Sequence, residues 1–106
     1  MYNLLIVEDE KYTRNRVVKY LTEELNGCFN VVSAEDGKEA LELMKKTHFD
    51  IVVTDIMMQF VNGIELAEEI YKNFKDCIVM IMSGYEEFEY AQKAIQFNVR
   101  KYFLKP

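Results

Sequence analysis

The chain has little of what thiolate metal sites, secretory signals or nucleic-acid-binding surfaces are built from. Its two cysteines, Cys28 and Cys77, lie far apart with no C-x-x-C pair. That excludes a zinc-ribbon pattern or a disulfide framework and leaves both as reduced, structural thiols. The single histidine, His48, precedes Phe49-Asp50 in a stretch that reads as loop, with no cluster of metal ligands around it. No catalytic role is assigned to it. Thirteen Lys and Arg stand against 18 Asp and Glu, giving a net charge of −5 and a pI near 4.9. Without clustered basic residues to neutralise phosphates, the chain itself is not expected to bind nucleic acid. No apolar run approaches the ~20 residues of a membrane span, and the first apolar run meets acids at once, unlike a secretory signal. A cytoplasmic protein without membrane contact is expected. Linkers, repeats and low-complexity tracts are missing as well, and 106 residues suit one domain around one core.

What is present is an alternation. Leu4–Val7, Val31–Ala34, Ile51–Thr54, Ile78–Met82 and Tyr102–Leu104 are short apolar runs, rich in β-branched or aromatic residues, as strands buried on both faces should be. Between them apolar residues recur at helical spacing: Val17, Val18, Leu21 and Leu25; Ala40, Leu41 and Met44; Leu66, Ala67, Ile70 and Phe74; Phe88, Ala91 and Ile95. Asp36 with Glu39, and Asn62 with Glu65, match a helix cap whose third helical residue reaches back. Strand and helix repeated in this way give right-handed crossovers and a parallel sheet covered on both sides. The expected fold is α/β, a doubly wound five-stranded parallel sheet of flavodoxin-like order 2-1-3-4-5.

Four of the runs end in residues suited to phosphoryl transfer: Glu8-Asp9 after the first, Asp55 after the third, Ser83 after the fourth and Lys105 after the last. Parallel strands deliver their carboxyl ends to one edge, where an open α/β fold builds its site. With strands one and three adjacent, Glu8, Asp9 and Asp55 are forced together, and a hard divalent cation with oxygen ligands relieves their repulsion. Mg2+ fits best, since it takes one or two carboxylates, several waters and a phosphate oxygen. Asp55 is the candidate nucleophile. Ser83 can donate its hydroxyl to a phosphoryl oxygen, and Lys105 can place an ammonium over it.

These residues resemble a known family, the receiver domains of two-component response regulators. The resemblance covers the whole chain and rests on I-V-E-D-E at 6–10, V-T-D-I-M-M at 53–58 with Asn62-Gly63, M-S-G-Y at 82–85 and K-Y-F-L-K-P at 101–106. It implies that Asp55 is the phosphoacceptor, Asp9 a direct Mg2+ ligand, Glu8 a ligand through water and the Met57 main-chain carbonyl a further ligand. It also implies that Ser83 and Lys105 bind the phosphoryl group, that Ser83 and Tyr102 form the switch, and that Lys105-Pro106 is a cis peptide. The donor is implied to be the phosphohistidine of a sensor histidine kinase. Such a domain is not an enzyme in the ordinary sense, although it catalyses its own phosphorylation and dephosphorylation. The segment S-G-Y-E-E-F-E-Y-A-Q-K-A at 83–94 resembles receivers of YesN-like regulators, joined to AraC-type helix-turn-helix output domains that act in transcription.

Departures from the family pattern are specific. Gln59 stands where proline is usual, which bears on the stiffness of the loop after Asp55, and Asn98 stands where glycine is common, a position Asn tolerates. Met57 and Tyr85 are bulky at positions that tune access of water to the phosphoryl group. A Mg2+-dependent aspartyl phosphatase would want D-x-D after strand one, and a flavodoxin-like cofactor binder would want a phosphate-cradling loop there. Glu8-Asp9 supplies neither. A phosphorylation-independent interaction module is a further alternative. Residues 1–106 are expected to be one receiver domain truncated after strand five. Without a fifth helix over one flank, it would expose an apolar patch of roughly several hundred Å² and form a homodimer or lose stability.

Overall fold

The computed structural model of the chain describes residues 2–25, 27–56, 62–83, 97, 99 and 101–104. Strands and helices alternate as β1 (Tyr2–Val7), α1 (Lys11–Glu24), β2 (Phe29–Ala34), α2 (Gly37–Lys46), β3 (Ile51–Asp55), α3 (Gly63–Asn73), β4 (Ile78–Ser83) and β5 (Lys101–Leu104). The sheet order is β2-β1-β3-β4-β5 and every pairing is parallel. The fourth apolar stripe, Phe88, Ala91 and Ile95, lies outside the described residues. So does Pro106.

Side chains alternate across β1 and sort the core into two layers. Leu5 and Val7 face one way, packed with Val52, Val79, Ile81 and the α2 and α3 residues Ala40, Met44, Leu66, Ala67 and Ile70. Leu4 and Ile6 face the other way with Val53 and Met82, against Val17, Val18 and Leu21 of α1 and Leu25 at its C-cap. The apolar stripes read from sequence in α1, α2 and α3 are the faces that pack. Both expected N-caps form, and the reach-back is recorded at the second. The Asp36 side chain accepts from the Glu39 N–H at 2.8 Å, and Asn62 and Glu65 form a two-way capping box.

Three strands start earlier than their apolar runs, β5 by the single residue Lys101. β1 begins at Tyr2 and β2 at Phe29 because Tyr2 pairs with Phe29 and Asn3 with Asn30, and the Tyr2 and Phe29 rings lie 5.8 Å apart. Cross-strand partners extend the ladder past the point where burial requires it. At this edge Asp50 ties three strands together. Its carboxylate accepts from the Asn3 N–H at 2.7 Å, its N–H donates to the Asn3 carbonyl at 2.9 Å and its carbonyl accepts from the Ile78 N–H at 2.9 Å. His48, a loop residue as expected, lies 3.3 Å from the Asp50 carboxylate.

Cys28 is exposed, Cys77 is partly buried, and both are free thiols. Burial, and then the Asp50 carboxylate, push the Cys77 thiol up from 9.0 to about 12. Because the folded state favours the protonated thiol, this contribution to stability is complete below the unfolded value and is lost as pH rises from 9.0 towards about 12. Urea unfolding across that range should show a decline in stability that is smaller in Cys77→Ala. An identical decline in both proteins would remove Cys77 as its source.

Candidate functional site

Strand register builds the acidic cluster. Val7 lies opposite Thr54 in the β1–β3 pairing, so Glu8 and Asp55 are the next residues on adjacent strands and point out at the same edge. Carboxylate oxygens of Glu8, Asp9 and Asp55 all lie within 4.8 Å of one another. Glu8 and Asp55 are buried while Asp9 is exposed. Like charges brought this close repel one another. The donor set is all oxygen, anionic and convergent, and so fits a hard divalent cation such as Mg2+.

Two of the three acids, Glu8 and Asp55, have main-chain groups held by hydrogen bonds. The Glu8 N–H donates to the Ala34 carbonyl of β2 at 3.2 Å, and the Glu8 carbonyl accepts from Arg14 Nη1 at 2.9 Å. The Glu8 carboxylate accepts from the Glu10 N–H at 3.4 Å. Glu10 in turn caps α1, accepting from the Tyr12 and Thr13 N–H groups at 3.0 and 2.7 Å. Asp55 Oδ1 accepts from the Ile56 N–H at 2.8 Å, and the buried Thr54 hydroxyl donates to the Asp55 carbonyl at 2.9 Å.

Gly63 matters here for its missing side chain. Its N–H donates to the Ile56 carbonyl at 2.8 Å, and a β-carbon would overlap the Asp55 carbonyl oxygen and come within 2.8 Å of the Ile56 Cα. The start of α3 is thereby seated directly on the backbone that carries Asp55.

The remaining expected residues divide by placement. Ser83 ends β4, one residue past Met82, the partner of Asp55, and pairs with Leu104, the last residue of β5. The main chain therefore brings Ser83 to the same edge, although its side chain lies outside the described residues. Tyr102 pairs with Ile81 through its backbone, and its side chain also lies outside the description. Met57, Gln59, Tyr85, Asn98, Lys105 and the Lys105-Pro106 peptide lie wholly outside it. Sequence reasoning missed Arg14, Thr54 and the cap at Glu10. The available signal was Arg14 itself, a cation near the start of a helix, where the dipole favours anions.

Comparison with known proteins agrees with this geometry. The family model described as the response regulator receiver domain matches residues 4–106. An uncharacterized response regulatory protein of Staphylococcus epidermidis is 37% identical over 106 residues, which are 100% of this chain and 41% of that protein. The transcriptional regulatory protein HptR of Staphylococcus aureus is 37% identical over 107 residues, with the same coverage of 100% and 41%. The chain thus spans about two fifths of the length of these curated relatives. Among solved structures, the response regulator TrrA of Thermotoga maritima, crystallised in complex with Mg2+ and BeF, superposes with a TM-score of 0.88 at 30% identity, covering 100% of this chain and 88% of that one. A LuxR-family DNA-binding response regulator from Staphylococcus aureus gives 0.88 at 28% identity, covering 98% and 86%. The output type named there is LuxR rather than AraC, so these relatives do not support the narrower subclass expected from residues 83–94. Among the described residues no helix is long and apolar enough to cross a membrane.

The seat of Asp55 on α3 predicts the outcome of one small substitution. Gly63→Ala should lower the stability of the metal-free protein by about 1–3 kcal/mol, since backbone rather than a flexible side chain must move. Urea denaturation of both proteins measures this. An unchanged midpoint would mean that the contact is not tight in solution.

Proposed function

Because the chain belongs to the response regulator receiver domain family, we propose that it accepts a phosphoryl group on Asp55, with a divalent cation held by Glu8, Asp9 and Asp55. The observation that carries this reading is the convergence of those three carboxylates within 4.8 Å at the carboxyl edge of the sheet. Mg2+ is the proposed cation. Support comes from the oxygen donor set and from the Mg2+ and BeF complex of the Thermotoga relative. The Met57 carbonyl is assigned as a further ligand.

The chemistry assigned to this chain's residues is an in-line displacement. An Asp55 carboxylate oxygen attacks the donor phosphorus, an O–P bond forms, and the bond to the donor breaks, its electron pair leaving with the donor. When bound, the cation neutralises charge on the phosphoryl oxygens. Ser83 is assigned a hydrogen bond to one of those oxygens and Lys105 an ion pair with another. Glu8 and Asp9 do not attack, since in this reading they serve the cation. The domain acts on itself rather than turning over an external substrate.

The proposed donor is the phosphohistidine of a sensor histidine kinase. Modification of Asp55 would draw Ser83 towards the phosphoryl group and Tyr102 inward, biasing a two-state equilibrium that an output domain reads. Transcription is the proposed output, in line with HptR and the LuxR-family regulator. An AraC-type output is proposed on the strength of residues 83–94 alone, and the parent reading frame decides between the two types.

Acetyl phosphate should modify the protein once, in the presence of Mg2+ or Mn2+, and intact-mass analysis should show no such uptake by Asp55→Asn. Equal uptake by both proteins, or uptake unaffected by chelator, would refute the assignment.

A further inference from the structure

A buried cation lies behind the acidic cluster, and it breaks two local rules. Arg14 is the one buried residue of α1, although arginine side chains are mostly exposed. It is also the fourth residue of α1, near the N-terminal end that the Glu10 carboxylate caps, where the helix dipole disfavours a positive charge. Local rules are broken most often where function requires it.

The contacts of Arg14 suggest the requirement. Nη1 donates to the Glu8 carbonyl at 2.9 Å in a buried hydrogen bond, and Nη2 lies 3.9 Å from the carboxylate of Glu35, in the loop after β2. The guanidinium thus joins α1 to the ends of β1 and β2. The Glu8 carbonyl belongs to the peptide that links Glu8 to Asp9, so its orientation sets where Asp9 leaves the main chain. With the Glu8 N–H bound to the Ala34 carbonyl, both polar groups of the Glu8 main chain are fixed. A planar fork serves two directions at once, which a lysine ammonium on a flexible stem does not reproduce.

We propose that Arg14 is a positioning residue of the acidic site: by holding the Glu8-Asp9 peptide it preorganises the carboxylates of Glu8 and Asp9 towards Asp55 for a divalent cation. This rests on the reading of the cluster as a cation site. Charge and geometry make opposite predictions. Removing a nearby cation should tighten divalent binding through Coulomb attraction alone, whereas loss of a positioning group loosens it, typically by about 10- to 100-fold for groups that orient metal ligands.

The test is Mn2+ binding to the unphosphorylated protein, followed by the electron paramagnetic resonance signal of free Mn2+, with melting of the metal-free proteins measured in parallel. Wild type, Arg14→Ala, Arg14→Lys and Asp9→Asn are compared. The expected result is one Mn2+ per wild-type chain, about tenfold weaker binding by the folded Arg14→Ala protein, and no full rescue by Arg14→Lys, which keeps the charge and loses the fork. Equal or tighter binding by Arg14→Ala, or full rescue by Arg14→Lys, would overturn the positioning role while leaving the cation site standing. If wild type binds no Mn2+, or Asp9→Asn binds as wild type does, the cation site fails and the proposal with it. Should Arg14→Ala not fold, Arg14→Lys carries the comparison, and wild-type affinity in that variant would overturn the proposal.

Discussion

The pairing of β1 with β3 is the interaction on which the site depends. Val7 opposite Thr54 puts Glu8 and Asp55 side by side, and a slip of one residue would turn one of them into the core. Burial on both faces makes such a slip costly. Leu5, Val7 and Val52 are fully buried in one packed layer and Ile6 in the other, so exchanging layers would place every side chain wrongly. The Asp50 hydrogen bonds at the opposite edge fix the same register from the starts of the strands. Apolar packing thereby performs an electrostatic task, holding together carboxylates that repel one another.

Around that register the main chain is clamped rather than the carboxylates alone. Thr54 and Gly63 fix the peptide at Asp55, while Ala34 and Arg14 fix the peptide at Glu8. A site whose charged groups are oriented by buried backbone need not reorganise when a cation or a phosphoryl group arrives, which is the economy of preorganisation.

Much of this was legible in the residues. The strand runs, the helical stripes of α1 to α3 and the caps at Asp36 and Asn62 are local patterns with a local physical cause, and the parallel sheet follows from their alternation. The acids at matching strand ends were legible too, because one topology sends them to one edge. Other features depend on contacts between distant segments. The early start of β1 needs Phe29 and Asn30 as partners, the Thr54 hydroxyl looks like any strand threonine, and Gly63 reads as a helix start until the Asp55 carbonyl is seen beneath it. Glu10 is outside the residues usually preferred at a helix N-cap and was missed for that reason. Met57, Tyr85 and Lys105 remain expectations from sequence, since the described residues do not include them.

The central claim is that Asp55, among three converging carboxylates, is the one that carries the phosphoryl group. Borohydride reduces an acyl phosphate on aspartate to homoserine, which marks the modified residue permanently. The account predicts homoserine at position 55 alone after phosphorylation, reduction and peptide sequencing by mass spectrometry. Homoserine at position 9, or the reduced derivative of Glu8, with an intact Asp55 would contradict it.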